Sequence, residues 1–285
     1  MRDMPRDSGD ATQKIGLIAG SGRLPFLFAD AARAQGLVVH AVAHEGEMDS
    51  GLAEHVDSLD WVKVGQVDGI IRHLTRHGVT KAVMAGGIGR VRSLTGARPD
   101  LGALKIATRV RSLRDDELLR AIAAYFEENG ISIVAPTDYV KSVLAGEGLL
   151  AGPEPTQRQW ADIALGREVA AALGKVDVGQ TVIVKEGVVL AVEAVEGTDE
   201  AILRAGKFGG AGAVVVKRSK PGQDLRFDLP AAGPVTLEVM REAGASVLAV
   251  EAGKTVLIDA ELLFKWAARL RLSVVGLPPD ASKGG

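Results

Sequence analysis

The sequence contains no cysteine, which excludes disulfides, thiolate nucleophiles, iron–sulfur clusters and cysteine zinc sites together. That absence fits a reducing cytosol. Aromatic residues make up only 4% of the 285 positions, too few for the stacking platforms that grip single strands. Neither sign of charge dominates: 34 Lys and Arg stand against 36 Asp and Glu, a formal net charge of −2. The balance removes the broad basic footprint of a nucleic-acid binder, and no nucleic-acid partner is expected. No window reaches the ~18 apolar residues of a membrane span. Residues 1–12 are polar, unlike a secretory signal, and Met4 is a second candidate start. The expectation is a cytoplasmic protein, with contact at a membrane surface left open.

The apolar share, 47%, and the charged share, 25%, are those of a soluble protein with a sizeable core. At roughly 150 residues per domain the length suggests about two domains. Glycine is abundant, at 35 residues, which asks for tight turns and close backbone approaches of the kind phosphate sites use.

Apolar runs at Lys14–Ala19, Leu37–Ala43, Ser58–Val64, Lys81–Ala85 and Ile131–Val134 read as strands. Helical patterns at Leu24–Ala34, Val67–His77, Leu101–Leu113 and Asp115–Asn129 lie between them. Alternation of this kind indicates a Rossmann-like parallel-sheet domain over 14–142. The Gly/Pro-rich stretch Leu144–Thr156 reads as a linker. Beyond it, 157–277 mixes a helical segment, a hairpin turning at Lys185–Gly187, a helix with Thr198 as N-cap, and further strands and helices. The expected fold is α/β, with a smaller mixed C-terminal domain, a ligand cleft between the two, and flexible tails at 1–13 and 278–285.

Gly20-Ser21-Gly22-Arg23-Leu24-Pro25 follows the first strand and opens a helix. A turn of this kind can present backbone N–H groups and a helix N-terminus to a phosphate. The bland alternative is a plain strand-to-helix turn. Glu45 stands near the ribose acid of a dinucleotide fold, but Pro25 replaces the third fingerprint glycine. A second glycine turn, Ala85-Gly86-Gly87-Ile88-Gly89-Arg90, follows the fourth strand, with Arg92 just beyond. Its arginines either meet an anion or are simply solvated.

All five histidines precede residue 78: His40, His44, His55, His73 and His77. His73 and His77 share a helix face without a third ligand, so exposed helix histidines are expected rather than a metal site. The second half has neither His nor Cys, so a metal there must take oxygen ligands and be Mg²⁺, Mn²⁺ or Ca²⁺. Carboxylates cluster at Glu193, Glu196 and Asp199. On a strand Glu193 and Glu196 face opposite sides, so at most one joins a pocket. The densest group is the loop Lys217-Arg218-Ser219-Lys220-Pro221-Gly222-Gln223-Asp224-Leu225-Arg226-Phe227-Asp228-Leu229-Pro230. Cations there can neutralise a diphosphate while carboxylates hold a metal or orient water. A solvated surface loop is the alternative.

Three stretches, GLIAGSGRLP, LGKVDVGQTVIVKEGVVLAVEAVEGTDEAILR and KPGQDLRFDLP, resemble the LpxI-type UDP-2,3-diacylglucosamine pyrophosphatases of lipid A biosynthesis. The likeness runs from about Lys14 to Leu277. It implies a Mg²⁺-dependent hydrolase, with Mn²⁺ as the alternative ion, that splits UDP-2,3-diacylglucosamine into UMP and 2,3-diacylglucosamine 1-phosphate (lipid X). The family's QDxRxDxP signature falls on Gln223, Asp224, Arg226, Asp228 and Pro230, and implies Asp228 as catalytic carboxylate, with Asp224 as second candidate. The EGTD signature falls on Glu196, Gly197, Thr198 and Asp199. Together with Asp228, Glu196 and Asp199 are the candidate metal ligands. Candidate substrate contacts are Gly20, Ser21, Gly22, Arg23, Leu24, Gly86, Gly87, Thr198, Lys217, Lys220, Gln223 and Arg226. The second glycine turn departs from the family in lacking a basic residue near Gly87 and a proline after the arginine, which leaves Arg90 and Arg92 unassigned. A doubly acylated substrate implies transient membrane contact, and a homodimer is the default assembly of a soluble enzyme. Two rival classes stand beside this reading: a nicotinamide oxidoreductase and a non-catalytic nucleotide-lipid carrier.

Overall fold

The computed structural model describes residues 13–87, 98–110, 115–176, 178–220, 224–227 and 229–279. Two compact units divide between Val140 and Lys141. In the first, β1 (Lys14–Ala19), β2 (Val38–His44), β3 (Ser58–Val62), β4 (Lys81–Ala85) and β5 (Ser132–Ile133) form one sheet in the order 3-2-1-4-5. All its pairings are parallel. That is the order of a doubly wound Rossmann-type sheet, whose switch point lies between β1 and β4.

Helix α1 (Leu24–Ala34) carries the chain from β1 to β2, and α2 (Val67–Arg76) carries it from β3 back to β4. Phe28, Ala29 and Ala32 of α1 are buried at one-turn spacing, as are Ile70, Ile71 and Leu74 of α2. Helices α3 (Leu101–Arg109) and α4 (Asp115–Glu128) follow β4. The first of these stops four residues before the expected Leu113, because Val110 turns extended.

In the second unit β6 (Gly148–Ala151), β7 (Thr181–Lys185), β8 (Val188–Val192), β9 (Val214–Lys217), β11 (Val247–Glu251) and β13 (Ser273–Leu277) form a sheet in the order 6-13-11-9-7-8. The pairs β9–β11 and β11–β13 are parallel, whereas β7 and β6 run antiparallel to their neighbours β9 and β13. A two-stranded parallel pair, β10 (Ala231–Ala232) with β12 (Val256–Leu257), stands apart.

Helix α5 (Gln157–Lys175) starts at a capping box of Thr156 and Gln159 and packs Ile163 and Ala170 on one face of the larger sheet. Helices α6 (Thr198–Gly209), α7 (Pro234–Ala243) and α8 (Ala260–Leu270) cover the other face through Ile202, Leu237, Met240 and Leu263. Sheet residues therefore alternate between two apolar layers: Val215, Leu248, Val250 and Val274 point to one, and Val214, Val216, Ala249 and Val275 to the other. The expected hairpin is present. Glu186 and Gly187 both have positive φ, and the Asp162 carboxylate accepts both their N–H groups, at 2.9 and 2.7 Å.

Two expectations need correction. The stretch read as a linker carries β6, an antiparallel edge strand of the second sheet. Thr198 is the first residue of α6 rather than its cap; Gly197 caps the helix without a side chain, which frees the threonine hydroxyl for other partners.

Candidate functional site

At the switch point of the first sheet the two glycine turns interlock. Gly20 N–H donates to Ala85 O at 2.8 Å, Ser21 N–H to Gly87 O at 2.6 Å, and Gly87 N–H back to Ser21 O at 3.1 Å. The Ser21 hydroxyl also donates to Gly87 O, at 2.9 Å. Glycine is required by this contact: a Cβ on Gly20 would lie 2.3 Å from Gly87 O, and one on Gly86, where φ is +86°, would lie 2.4 Å from Ser21 O. Several of the N–H groups expected to face a phosphate are thus spent in joining the turns. Gly22 and Arg23 lead into α1 at Leu24, and no side chain caps that helix start. Arg23 lies over the Phe26 ring at 5.3 Å. Glu45 is exposed, with Lys63 at 4.0 Å. Arg90 and Arg92 lie outside the described residues.

The second unit gathers polar side chains at the carboxyl ends of β8, β9 and β11, the edge where α/β sheets receive ligands. Lys217, 8% exposed, ends β9, and its Nζ donates to Thr198 Oγ1 at 3.1 Å. That hydroxyl donates in turn to Glu193 Oε1 at 3.0 Å, and Thr181 Oγ1 stands 3.3 Å away. Glu193 is 9% exposed, and its Oε2 has no hydrogen-bond partner. The buried carboxylate balances the buried ammonium through one hydroxyl. Both cation and hydroxyl sit at the N-terminus of a twelve-residue helix, whose dipole adds to the attraction for an anion.

Asp224 and Arg226 meet as a fork: Nε to Oδ1 at 2.9 Å and Nη2 to Oδ2 at 2.7 Å, with the guanidinium 4.9 Å over Phe227. Asp224 therefore stands as a partner of Arg226. Lys220 is half-buried on the same loop. Gln223 and Asp228 lie outside the described residues.

The remaining carboxylates do not converge. Glu196 pairs with Arg204, whose Nη2 also donates to Val192 O at 2.8 Å. Its own backbone N–H and that guanidinium hold the Glu196 carboxyl below the usual range. Asp199 is exposed in the first turn of α6. Among the described residues no group of three His, Asp or Glu could hold a metal ion. Of the Glu193–Glu196 pair, the inward member is Glu193.

Sequence reasoning passed over Ser219, Glu251 and Thr181. Glu251, 4% exposed, closes β11 and accepts from Ser219 N–H at 3.1 Å and from the Ser219 hydroxyl. The one signal was a carboxylate ending an apolar strand. The histidine expectation also fails: His73 is 4% exposed and bonds Asp60 at 3.0 Å, and His77 stacks on His40 with centroids 4.2 Å apart.

Comparison with known proteins agrees over both units. The model of the LpxI N-terminal domain matches residues 14–143, and that of the LpxI C-terminal domain matches 146–275. The UDP-2,3-diacylglucosamine pyrophosphatase LpxI of Caulobacter vibrioides is 32% identical over 279 residues, which span 94% of this chain and 99% of the relative. Solved structures are more distant. A protein named gox2253 is 12% identical, covers 94% of this chain and 78% of its own, and has a TM-score of 0.32. An ADP complex of N5-carboxyaminoimidazole ribonucleotide synthetase is 12% identical over 81% of this chain, which spans 44% of that protein, with a TM-score of 0.27. At such scores the solved structures carry no argument, whereas the two domain models and the Caulobacter relative converge: the chain belongs to the LpxI family.

Proposed function

We propose that the chain hydrolyses the diphosphate of UDP-2,3-diacylglucosamine to UMP and 2,3-diacylglucosamine 1-phosphate, as a step of lipid A biosynthesis. The observation that carries the reading is the Glu193–Thr198–Lys217 group: a buried, oriented ammonium at a helix N-terminus, where a phosphate group is stabilised. Family membership supplies the substrate.

In this mechanism Lys217 binds a phosphate oxygen and offsets the charge that develops as water attacks one phosphorus. Lys220, on the following loop, adds to the local positive charge, whereas the charge of Arg226 is offset by its fork with Asp224. Thr198 holds the ammonium in place, and Glu193 fixes the direction of the Thr198 proton. Asp228 is the proposed catalytic carboxylate, positioning the attacking water and taking up its proton. The diphosphate P–O bond breaks, and the bridging oxygen leaves with one phosphate.

The described carboxylates do not make a Mg²⁺ set, so no step is assigned to an ion. A requirement for Mg²⁺ is proposed on the family likeness. Two acyl chains place the substrate in a bilayer, and transient contact at a membrane surface belongs to the same proposal.

The test is product analysis with UDP-2,3-diacylglucosamine, with Mg²⁺ or with EDTA, beside Asp228→Ala. UMP and 2,3-diacylglucosamine 1-phosphate are expected from the wild type with Mg²⁺, and neither from the folded variant or under EDTA. Substrate binding without turnover would instead make the chain a carrier. Turnover unchanged by Asp228→Ala would remove that residue from the chemistry.

A further inference from the structure

The loop that carries Asp224, Arg226 and Asp228 is attached at both ends to one short stretch of chain, Glu251–Ile258. At its entry, Ser219 follows β9 by two residues. Glu251 Oε2 accepts both the backbone N–H and the hydroxyl of Ser219. At its exit, Val256 N–H donates to Pro230 O at 2.8 Å, β10 pairs with β12, and Ile258 N–H donates to Ala232 O at 2.8 Å.

The stretch itself is tied down from elsewhere in the unit. Thr255 N–H closes a turn on Glu251 O at 3.1 Å, Ala252 N–H donates to Leu277 O at 2.8 Å, and Gly253 N–H donates to Ala145 O at 2.8 Å. Ala145 N–H donates in return to Thr255 O, also at 2.8 Å. The turn brings Lys254 Nζ to Glu251 Oε1 at 2.8 Å, so each carboxylate oxygen has its own donors. Ser219 is itself buried, at 4% exposed. Without an acceptor in place its N–H group would be stranded, and the chain would have to move to find another.

We infer that Glu251 is a positioning residue for the proposed hydrolysis: its carboxylate anchors Ser219 and so fixes where the loop from Lys220 to Asp228 begins, while Lys254 neutralises it. The inference rests on the functional reading of that loop given above. It adds a residue argued to act through Ser219. A carboxylate serves here because one oxygen takes two donors while the other takes the ammonium, a load that no neutral aliphatic side chain carries.

The experiment compares Glu251→Leu, Glu251→Gln and Ser219→Ala with the wild type by three readouts. These are turnover of UDP-2,3-diacylglucosamine per folded molecule, thermal melting, and hydrogen exchange at the amides of Ser219 and Asp224–Phe227. Glu251→Leu is expected to lower kcat/KM by about 10²-fold, the scale of a misplaced catalytic geometry. Exchange at those amides should quicken more than in the β9 and β11 strands. Glu251→Gln keeps an acceptor for Ser219 and should restore kcat/KM to within about tenfold of wild type, since a neutral acceptor is weaker than a charged one. Ser219→Ala keeps the N–H bond and should fall between.

A folded Glu251→Leu with wild-type turnover and unchanged exchange overturns the inference. Equal losses in Gln and Leu variants overturn it as well, because the acceptor would then not matter. Should the Leu variant fail to fold, the Gln and Ala variants decide on the same readouts. A wild type that never turns over the substrate refutes the functional reading alone, and loop exchange still decides the anchoring.

Discussion

Thr198 has a hydroxyl with one proton to give and two lone pairs to fill, and its surroundings use all three. It donates to Glu193, accepts from Lys217, and has Thr181 at 3.3 Å as the third partner. Thr198→Val keeps the shape and removes every one of these bonds. Glu193, whose Oε2 already has no partner, would then be buried with neither oxygen bonded. We expect a loss of about 1–3 kcal/mol of stability, the cost of stranding a buried polar group. A kcat/KM at least about tenfold lower should accompany it, corresponding to roughly 1.4 kcal/mol of transition-state stabilisation. Thr198→Ser should recover most of both. Thermal melts and turnover check this, and a valine variant as active as wild type would show that activity does not depend on the Thr198 bond to Lys217. From sequence, Thr198 reads as an N-cap, whose hydroxyl would have been consumed locally. One residue of shift in the helix start changed its chemistry.

Secondary structure elements bring together what no motif announces in the case of β2, β3 and α2. His40 on β2 bonds Ser58 on β3 at 2.8 Å, His73 on α2 bonds Asp60 on β3, and His77 lies between the two imidazoles. The Nε2 atoms of His40 and His73 are buried without partners. Burial above all holds both pKa values below 6.5; the neighbouring His77 and Lys14 add to this for His40, whereas Asp60 opposes it for His73. The unfolded chain therefore takes up protons before the folded one does. Stability is fully present above the unfolded value and falls as pH drops from there through the folded values. Melting temperature should be lower at about pH 5.5 than at about pH 7.5. The gap should narrow in His40→Phe, which keeps a ring against His77 and removes one titrating group. A melting temperature independent of pH across that range in the wild type would contradict the buried neutral state. The strands and helices of the first unit were legible from periodicity. Strand β13 was not read, although the helix before it ends at Leu270 as its periodicity indicates. Strand β6 was hidden because it is short and set among the glycines of a stretch that reads as irregular.

The whole molecule carries a net charge of −2, and no helix among the described residues is long and apolar enough to cross a membrane. An anionic bilayer attracts juxtaposed basic clusters at about 1 kcal/mol per Lys or Arg; a balanced protein has little of that pull. If the proposed reading holds, vesicle association should depend on the substrate in the bilayer. In co-sedimentation with anionic vesicles, the protein should pellet when UDP-2,3-diacylglucosamine is present and stay in solution when it is not. Equal pelleting on both kinds of vesicle would show a surface affinity that the charge does not explain. Apolar periodicity and glycine placement, short-range properties of the chain, were enough to indicate the α/β class and the parallel first sheet, and the family came from the likeness of three stretches to a known one. Which side chains meet was decided elsewhere. Ser219 and Glu251 are brought together across 32 positions, and the glycine turns at Gly20 and Gly87 across 67, because neighbouring parallel strands align their carboxyl ends regardless of the chain between them. A buried carboxylate reveals its partner only when strand order and register have set the two strands side by side.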